Sequence, residues 1–420
     1  MGRIAVVGSG VAGLASSYYL SKDHDVDLFE SEDRIGGHTH TVAVQDPTLG
    51  EISVDTGFIV FNEANYPHFI RMLSELDVAY IDSDMSFSFE CQHRPFVWGS
   101  DFPQGIFAQR KNYFSPRFYK FILGIHRFNQ RCLADFESGL PLSMSLGDYL
   151  ETRGVSRDVV MDYVLPMTSA IWSASYQDSL RFPMSSFIRF WKNHQLLEIG
   201  KGLPWKTIRG GSAQYISPIL SQISGRVRIN TPVKLIRRTD DGVEIGTAEG
   251  LSQYDGVVIA THADTAFRLL EHPLAQEVAL LSTWHYSKNQ TILHTDSRFL
   301  PEKRAAWCSW NVRKSPAQFD QPASVTYWMN RLQSIKSTIP YLVTLNPESP
   351  IRDAHIIKKM TYTHPQMTEE AMGTQSELPE LNRNSRIVFA GSYFGYGFHE
   401  DAVASAISAV DALGETLNER

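Results

Sequence analysis

Apolar and polar positions along the chain fall into three textures. Ile4-Ala5-Val6-Val7, Val257-Val258-Ile259-Ala260 and Ile387-Val388-Phe389-Ala390 are short continuous apolar runs, each followed by small residues or glycine. Such runs predict strands buried on both faces, as in a parallel sheet. Val26-Asp27-Leu28-Phe29 reads as a further strand ending in Glu30, and Ile52 to Phe61 as a strand broken at Gly57. Residues 62 to about 205 switch to a helical period. Ser115-Pro116 is a cap with proline in the first turn. Phe118, Phe121, Ile122, Ile125, Phe128 and Cys132 then share one face, with Arg117, Lys120, Arg127 and Arg131 beside it. Further helices are predicted after Ser145, through Pro166–Ser173, through Phe187, Phe190, Trp191 and His194, and from Gly210-Gly211-Ser212 to about Ile223. A hairpin turns at Asp240-Asp241-Gly242. Residues 280 to 380 alternate aromatic and polar positions in Gln290–His294, Trp307–Trp310, Val325–Met329 and Tyr341–Leu345, which predicts an antiparallel sheet with one covered face.

The first apolar run leads into the most specific chemistry. Gly8-Ser9-Gly10-Val11-Ala12-Gly13 is a GxGxxG between a strand and a helix, and the acid Glu30 follows Gly10 by 20 residues. Gly8 permits the tight turn, Gly10 lets a pyrophosphate approach the backbone, and Gly13 lets the helix pack on the strand. The free N–H groups of the helix start face the phosphates, and Glu30, followed by Ser31, can accept hydrogen bonds from a ribose diol. Its charge disfavours a 2′-phosphate. Arg34-Ile35-Gly36-Gly37 just beyond favours FAD, because the chain must return to the pyrophosphate with a cation and two small residues.

The pattern from Gly8 to Gly37 resembles the flavin-containing amine oxidase superfamily. The resemblance implies an α/β fold. A Rossmann-like FAD-binding domain with a parallel sheet would be built from 1–60, 206–275 and 382–420. An inserted α+β substrate domain with a mostly antiparallel sheet would come from 61–205 and 276–381. It further implies that Thr56-Gly57-Phe58 runs past the flavin ring. Val233 would pair its main chain with the adenine, and Ala260-Thr261 would lie beside the dinucleotide. The closing block Gly391-Ser392, Gly397-Phe398-His399 and Ala402 would bring a helix N-terminus to the flavin N1–C2 carbonyl. Such a terminus stabilises the negative charge of a reduced flavin. Several positions depart from the family. His38, before Thr39, stands where a second arginine is common, Ser392 where an acid is common, and Ala402 where glycine is usual. The family's lysine beside flavin N5 falls near Gln290, with Lys288 two residues earlier; these two are the catalytic candidates. The closing block has no cysteine, so FAD is expected to be non-covalent. No second GxGxxG marks an NAD(P)H site.

Within the superfamily, Gly36-Gly37-His38-Thr39, Trp307–Asn311, Val343–Pro347 and Gly395–Asp401 are similar to a bacterial FAD-binding subgroup, and to the oxidase-like N-terminal part of plant cyclopropane fatty acid synthases. That likeness implies a lipid or fatty-acyl substrate and a lipid methyltransferase as partner. Three readings stand side by side: a flavin dehydrogenase or desaturase of a hydrophobic substrate, an amine oxidase producing peroxide, and a non-catalytic flavin-binding partner. The basic helix at 116–133 likewise keeps two readings, a core helix with a solvated flank or a helix lying on anionic lipid.

Bulk properties narrow the class. The 420 residues carry a formal net charge of −7, with 43% hydrophobic and 20% charged residues. That balance fits a globular chain and argues against nucleic acid as a partner. The three cysteines are far apart and form neither a disulfide framework nor a metal site. Met1 leads almost directly into the first strand, and no apolar run of about 18 residues is present to span a membrane. The expectation is a cytoplasmic protein, with peripheral contact at the inner membrane face left open.

Overall fold

The computed structural model describes residues 2–139, 143–198, 202–314, 319–321 and 323–418. The buried-type runs form one five-stranded parallel sheet. Its order is Val227–Arg228, Asp25–Phe29, Arg3–Val7, Gly256–Ile259, Ile387–Phe389. All five strands come from 1–60, 206–275 and 382–420. Ile4, Ala5, Val6, Val26, Leu28, Val257, Val258, Ile259 and Val388 are almost wholly buried, as a sheet covered on both faces requires. Helices Val11–Leu20 and His399–Asn418 pack against each other on one face. The hairpin sheet Leu235–Arg238, Val243–Thr247, Gly250–Tyr254 adjoins it.

A second, seven-stranded sheet has the order Ile356–Pro365, Tyr286–His294, Leu342–Leu345, Ser324–Trp328, Trp310–Lys314, Phe87–Cys91, Phe96–Gly99. It is antiparallel except where Trp310–Lys314 runs parallel to Phe87–Cys91. The chain therefore combines a Rossmann-like α/β half with a mostly antiparallel half. The helical region packs beside the second sheet. Its longest helix, Pro116–Glu137, starts at Ser115, whose hydroxyl accepts from the Phe118 N–H at 3.3 Å.

Several predicted elements shift. The strand expected over 52–61 ends at Asp55, because its hairpin with Thr41–Asp46 ends there; only Phe61–Asn62 resumes, in a different sheet. Trp307–Ser309 lie outside the strand that begins at Trp310. Gly210–Ile223 resolves into two short helical pieces, Ser212–Tyr215 and Ile216–Leu220. The edge strand Ile356–Pro365 was not predicted. Helix Pro67–Glu75 packs on the closing helix. Glu400 accepts from the His68 and Phe69 N–H groups at 3.0 Å each, so its carboxylate closes that helix's N-terminus. Among the described residues, no helix is long and apolar enough to cross a membrane.

Candidate functional site

The carboxyl ends of the parallel strands converge on one turn. Gly8 has φ +99°, and its N–H donates to the Phe29 carbonyl at 2.8 Å. A Cβ on Gly13 would lie 1.8 Å from the Gly8 carbonyl oxygen, so helix and strand meet at glycine-only distance. At Gly10 a Cβ would meet nothing within 4 Å: of Gly8, Gly10 and Gly13 it alone faces open space, and it is the one a pyrophosphate must approach. Val11 and Ala12 begin the helix there.

The segment after Glu30 folds back onto this turn. The Gly36 N–H donates to the Ser9 carbonyl at 3.0 Å, and a Cβ on Gly37 would lie 3.1 Å from the Gly10 Cα. Glu30 accepts from the Ser9 N–H at 3.0 Å, from the Ser31 hydroxyl at 3.1 Å and from the Glu32 N–H at 2.9 Å. Its carboxylate thus stands at the mouth of the turn. Arg34 donates to the carbonyls of Gly37 (2.6 Å), Thr39 (3.1 Å) and Ile35 (3.3 Å), so its guanidinium shapes the double-glycine loop from within. Ala260 donates to the Val7 carbonyl at 2.8 Å and Ala390 to the Ile259 carbonyl at 3.1 Å, which sets Ala260-Thr261 beside Gly8 and Gly391 beside Thr261. Among the described residues, neither main-chain group of Val233 has a hydrogen-bond partner.

The closing turn is knotted by side chains. The Ser405 hydroxyl accepts from the Gly391 N–H at 2.9 Å. Gly397 donates to the Ser392 carbonyl at 3.1 Å. Asp401 accepts from the Tyr396 and Phe398 N–H groups at 3.0 and 2.9 Å, and burial still pushes its pKa up to about 6. Ala402 is buried in the first turn of the final helix. His399, brought down to about 3 by burial, stacks on Phe58 at 3.5 Å and lies 3.2 Å from the Thr39 hydroxyl, which also bonds Tyr215.

Beyond Thr56-Gly57-Phe58 lies a buried cluster of neutral side chains, His38, His262, His364, Tyr286 and Tyr362. The Phe58 N–H donates to the His38 carbonyl at 2.8 Å, and the Thr56 hydroxyl bonds Tyr362 at 2.8 Å. The His38 ring lies 5.0 Å from Tyr362, 5.3 Å from His364 and 6.5 Å from His262, centroid to centroid. His262 stacks on Tyr286 at 4.2 Å. Burial, then the neighbouring His364, His262 and His399, holds His38 neutral well below the usual imidazole range. Burial likewise lowers His262 and brings His364 down to about 4. His38 Nε2 is sealed from solvent without a partner. Among the described residues, no group of His, Cys, Asp or Glu could hold a metal ion.

The second sheet puts Asn289 into this cluster. Its amide lies 3.0 Å from His364 Nδ1 and its carbonyl accepts from Asn346 at 2.7 Å. The expected candidates Gln290 and Lys288 are both exposed, on the opposite face of the same strand. Neighbouring strand residues point to opposite sides, so Lys288 and Gln290 face away from Asn289. An aromatic wall leads toward the same turn. Phe190 stacks on His194 (3.9 Å) and Phe398 (5.1 Å), and His194 faces Trp205 at 6.1 Å. No motif in the sequence marks His262, His364, Tyr362, Tyr286 or Asn289. The β-branched and aromatic run Ile356–His364 was the available signal for the strand that carries two of them.

An FAD fits these residues. The open Gly10 and the unpaired Val233 main chain are the features a bound dinucleotide would use. Comparisons with known proteins agree. Residues 6–76 match an NAD(P)-binding Rossmann-like domain, and residues 144–337 match the family described as flavin containing amine oxidoreductase. A stretch of 84 residues, 19% of the chain, is 33% identical to protoporphyrinogen oxidase of Saccharomyces cerevisiae. That stretch spans 14% of the yeast protein's length. Among solved structures, cyclohexylamine oxidase from Brevibacterium oxydans IH-35A shares the fold with TM-score 0.65 and 16% identity, over 100% of both chains. A fatty acid isomerase from P. acnes does so with TM-score 0.65 and 14% identity, over 99% of this chain and 98% of that one. Residues 144–337 are thus similar to a family of flavin-containing oxidoreductases, and the whole chain shares the fold of cyclohexylamine oxidase. FAD is the cofactor that this family and fold call for.

Proposed function

We propose that this FAD-dependent oxidoreductase dehydrogenates or desaturates a hydrophobic substrate, a lipid or fatty-acyl chain. The observation that carries the reading is the neutral cluster. His38, His262 and His364 are held neutral, none is ion-paired among the described residues, and the strand position nearest them is Asn289. An ammonium group set among these neutral rings would lose its hydration, at a cost of several kcal/mol that only a directly paired carboxylate offsets. A neutral chain carries no such cost. The half-buried rings of His194, Trp205, Tyr396 and Phe398 offer it an apolar approach. That a fatty acid isomerase shares the fold, and that the chain resembles the oxidase-like part of cyclopropane fatty acid synthases, supports the acyl reading.

Bound FAD supplies an N5 that accepts a hydride from a substrate C–H. The chain's residues do the rest. The aromatic wall and cluster exclude water and orient the donor carbon. The proton leaving the adjacent carbon needs a base, and His38 Nε2, neutral and unbonded, is the free nitrogen in the cluster. A lipid methyltransferase is the partner this reading carries. The test is anaerobic bleaching of the purified flavoprotein against acyl lipids and amines. Acyl lipids are expected to bleach it. Bleaching by amines alone, with peroxide formed in air, would make it an amine oxidase. Bound flavin that neither class reduces would make it a non-catalytic partner.

A further inference from the structure

The helix Pro116–Glu137 buries Phe118, Phe121, Phe128 and Cys132 and leaves its other face to solvent. Apolar and basic side chains share that outer face. Phe114, just before the helix, is 90% exposed, Leu123 52% and Tyr119 45%. The loop before it carries Phe102, 79% exposed, and is pinned to the helix start by Phe107, which stacks on Tyr113 at 4.1 Å. An aromatic ring left almost wholly in water loses about 1.5–3 kcal/mol relative to burial.

Charge singles out the same face. Residues 102–134 contain six Lys and Arg and no Asp or Glu, although the chain as a whole carries a net charge of −7. Not all six cations are free. Arg117 is held by Asp158 at 3.0 Å and Lys111 by the Pro95 carbonyl at 3.0 Å. A cavity of about 210 Å³ beneath the helix start, lined by Arg94, Arg117, Asp158 and Asp162, is therefore already neutralised. Arg110, Lys120 and Arg127 are exposed and, among the described residues, make no hydrogen bond or ion pair.

We propose that this face docks the protein on an anionic phospholipid bilayer. Phe102, Phe114 and Leu123 enter the headgroup boundary while Arg110, Lys120 and Arg127 meet the lipid phosphates. Exposed apolar side chains interleaved with unpaired cations are what interfacial binding uses, and each cation near an anionic surface is worth about fivefold in affinity. A solvated flank would need the cations but not the exposed rings. The inference goes beyond the reaction proposed above and does not depend on the substrate.

The test is co-sedimentation of the FAD-loaded protein with phosphatidylcholine vesicles and with vesicles containing one third phosphatidylglycerol. Binding is expected to the second alone and to weaken as salt rises. Lys120→Glu with Arg127→Glu should lower it by about 25-fold or more. Phe114→Ser with Leu123→Ser should lower it about tenfold or more, with flavin content and melting temperature unchanged. Equal binding to both vesicles, no binding to either, or loss of a dimer in the Phe114→Ser, Leu123→Ser variant (which would assign the face to a second copy) overturns the proposal.

Discussion

The two halves of the site are built by different means. The cofactor half is a main-chain structure: strand ends, a helix N-terminus, and glycines placed where a Cβ would collide. The donor half is a side-chain structure in which His38, His262, His364 and Asn289 converge from four separate segments. Main-chain sites demand particular residue types at fixed spacing, while side-chain sites demand only that the topology bring them together. The first is therefore intolerant of substitution and readable in one dimension. The second is readable only in three.

The largest effects should fall on the main-chain half. Gly13→Val would drive a side chain into the Gly8 carbonyl, and near-complete loss of bound flavin is expected, read as the flavin-to-protein absorbance ratio. Gly10→Val separates binding from folding. Its Cβ meets no protein atom within 4 Å, so the melting temperature of flavin-free protein should hold while FAD affinity falls about 100-fold or more. Equal losses in both variants' flavin-free stability would remove the distinction.

Next comes the donor half. Asn289→Leu removes the partner of Asn346 Nδ2 and of His364 Nδ1, at a cost of about 1–3 kcal/mol in unfolding free energy. It should slow flavin reduction by more than tenfold with FAD retained. Lys288→Ala and Gln290→Ala, on the outer face of the same strand, should stay within about 0.5 kcal/mol and leave reduction unchanged. A strong effect at Gln290 would restore the original expectation for that strand.

The smallest effect is on pH. Burial brings His364, His294 and His40 down to about 4, and His399 to about 3. Between pH 6.5 and 4 the unfolded chain therefore binds more protons than the folded one at these groups. Their stabilisation is complete above pH 6.5 and is lost as pH falls through that window. Asp55 and Asp401, pushed up to about 6 by burial, act in the opposite sense from about pH 4 to 6, but they are fewer. The melting temperature should fall on acidification from pH 7 to 4.5, and His364→Gln should flatten the fall.

Much of the fold is legible in the sequence because continuous apolar runs mark strands covered on both faces. Arg3–Val7, Gly256–Ile259 and Ile387–Phe389 are such runs. The Gly8–Gly37 block is legible because each glycine answers a steric demand. Ile356–Pro365 is not, because an edge strand shows weaker alternation and its identity comes from pairing with Tyr286–His294. Gln290 stands one residue from Asn289, and one residue in a strand inverts the side chain, so their opposite faces are not legible without the register. Helix Pro67–Glu75 was grouped with the insert because nothing local reveals that Glu400, far along the chain, closes its N-terminus.

The central claim is that a neutral acyl chain, and not an amine, gives up hydrogen at the histidine cluster. Mass spectrometry of acyl lipids incubated with the FAD-loaded protein under anaerobic conditions tests it most directly. The account predicts a product lighter by two hydrogen atoms, one per flavin bleached, formed more than tenfold more slowly by the Asn289→Leu variant. Acyl lipid recovered unchanged from a preparation whose flavin an amine reduces would contradict it.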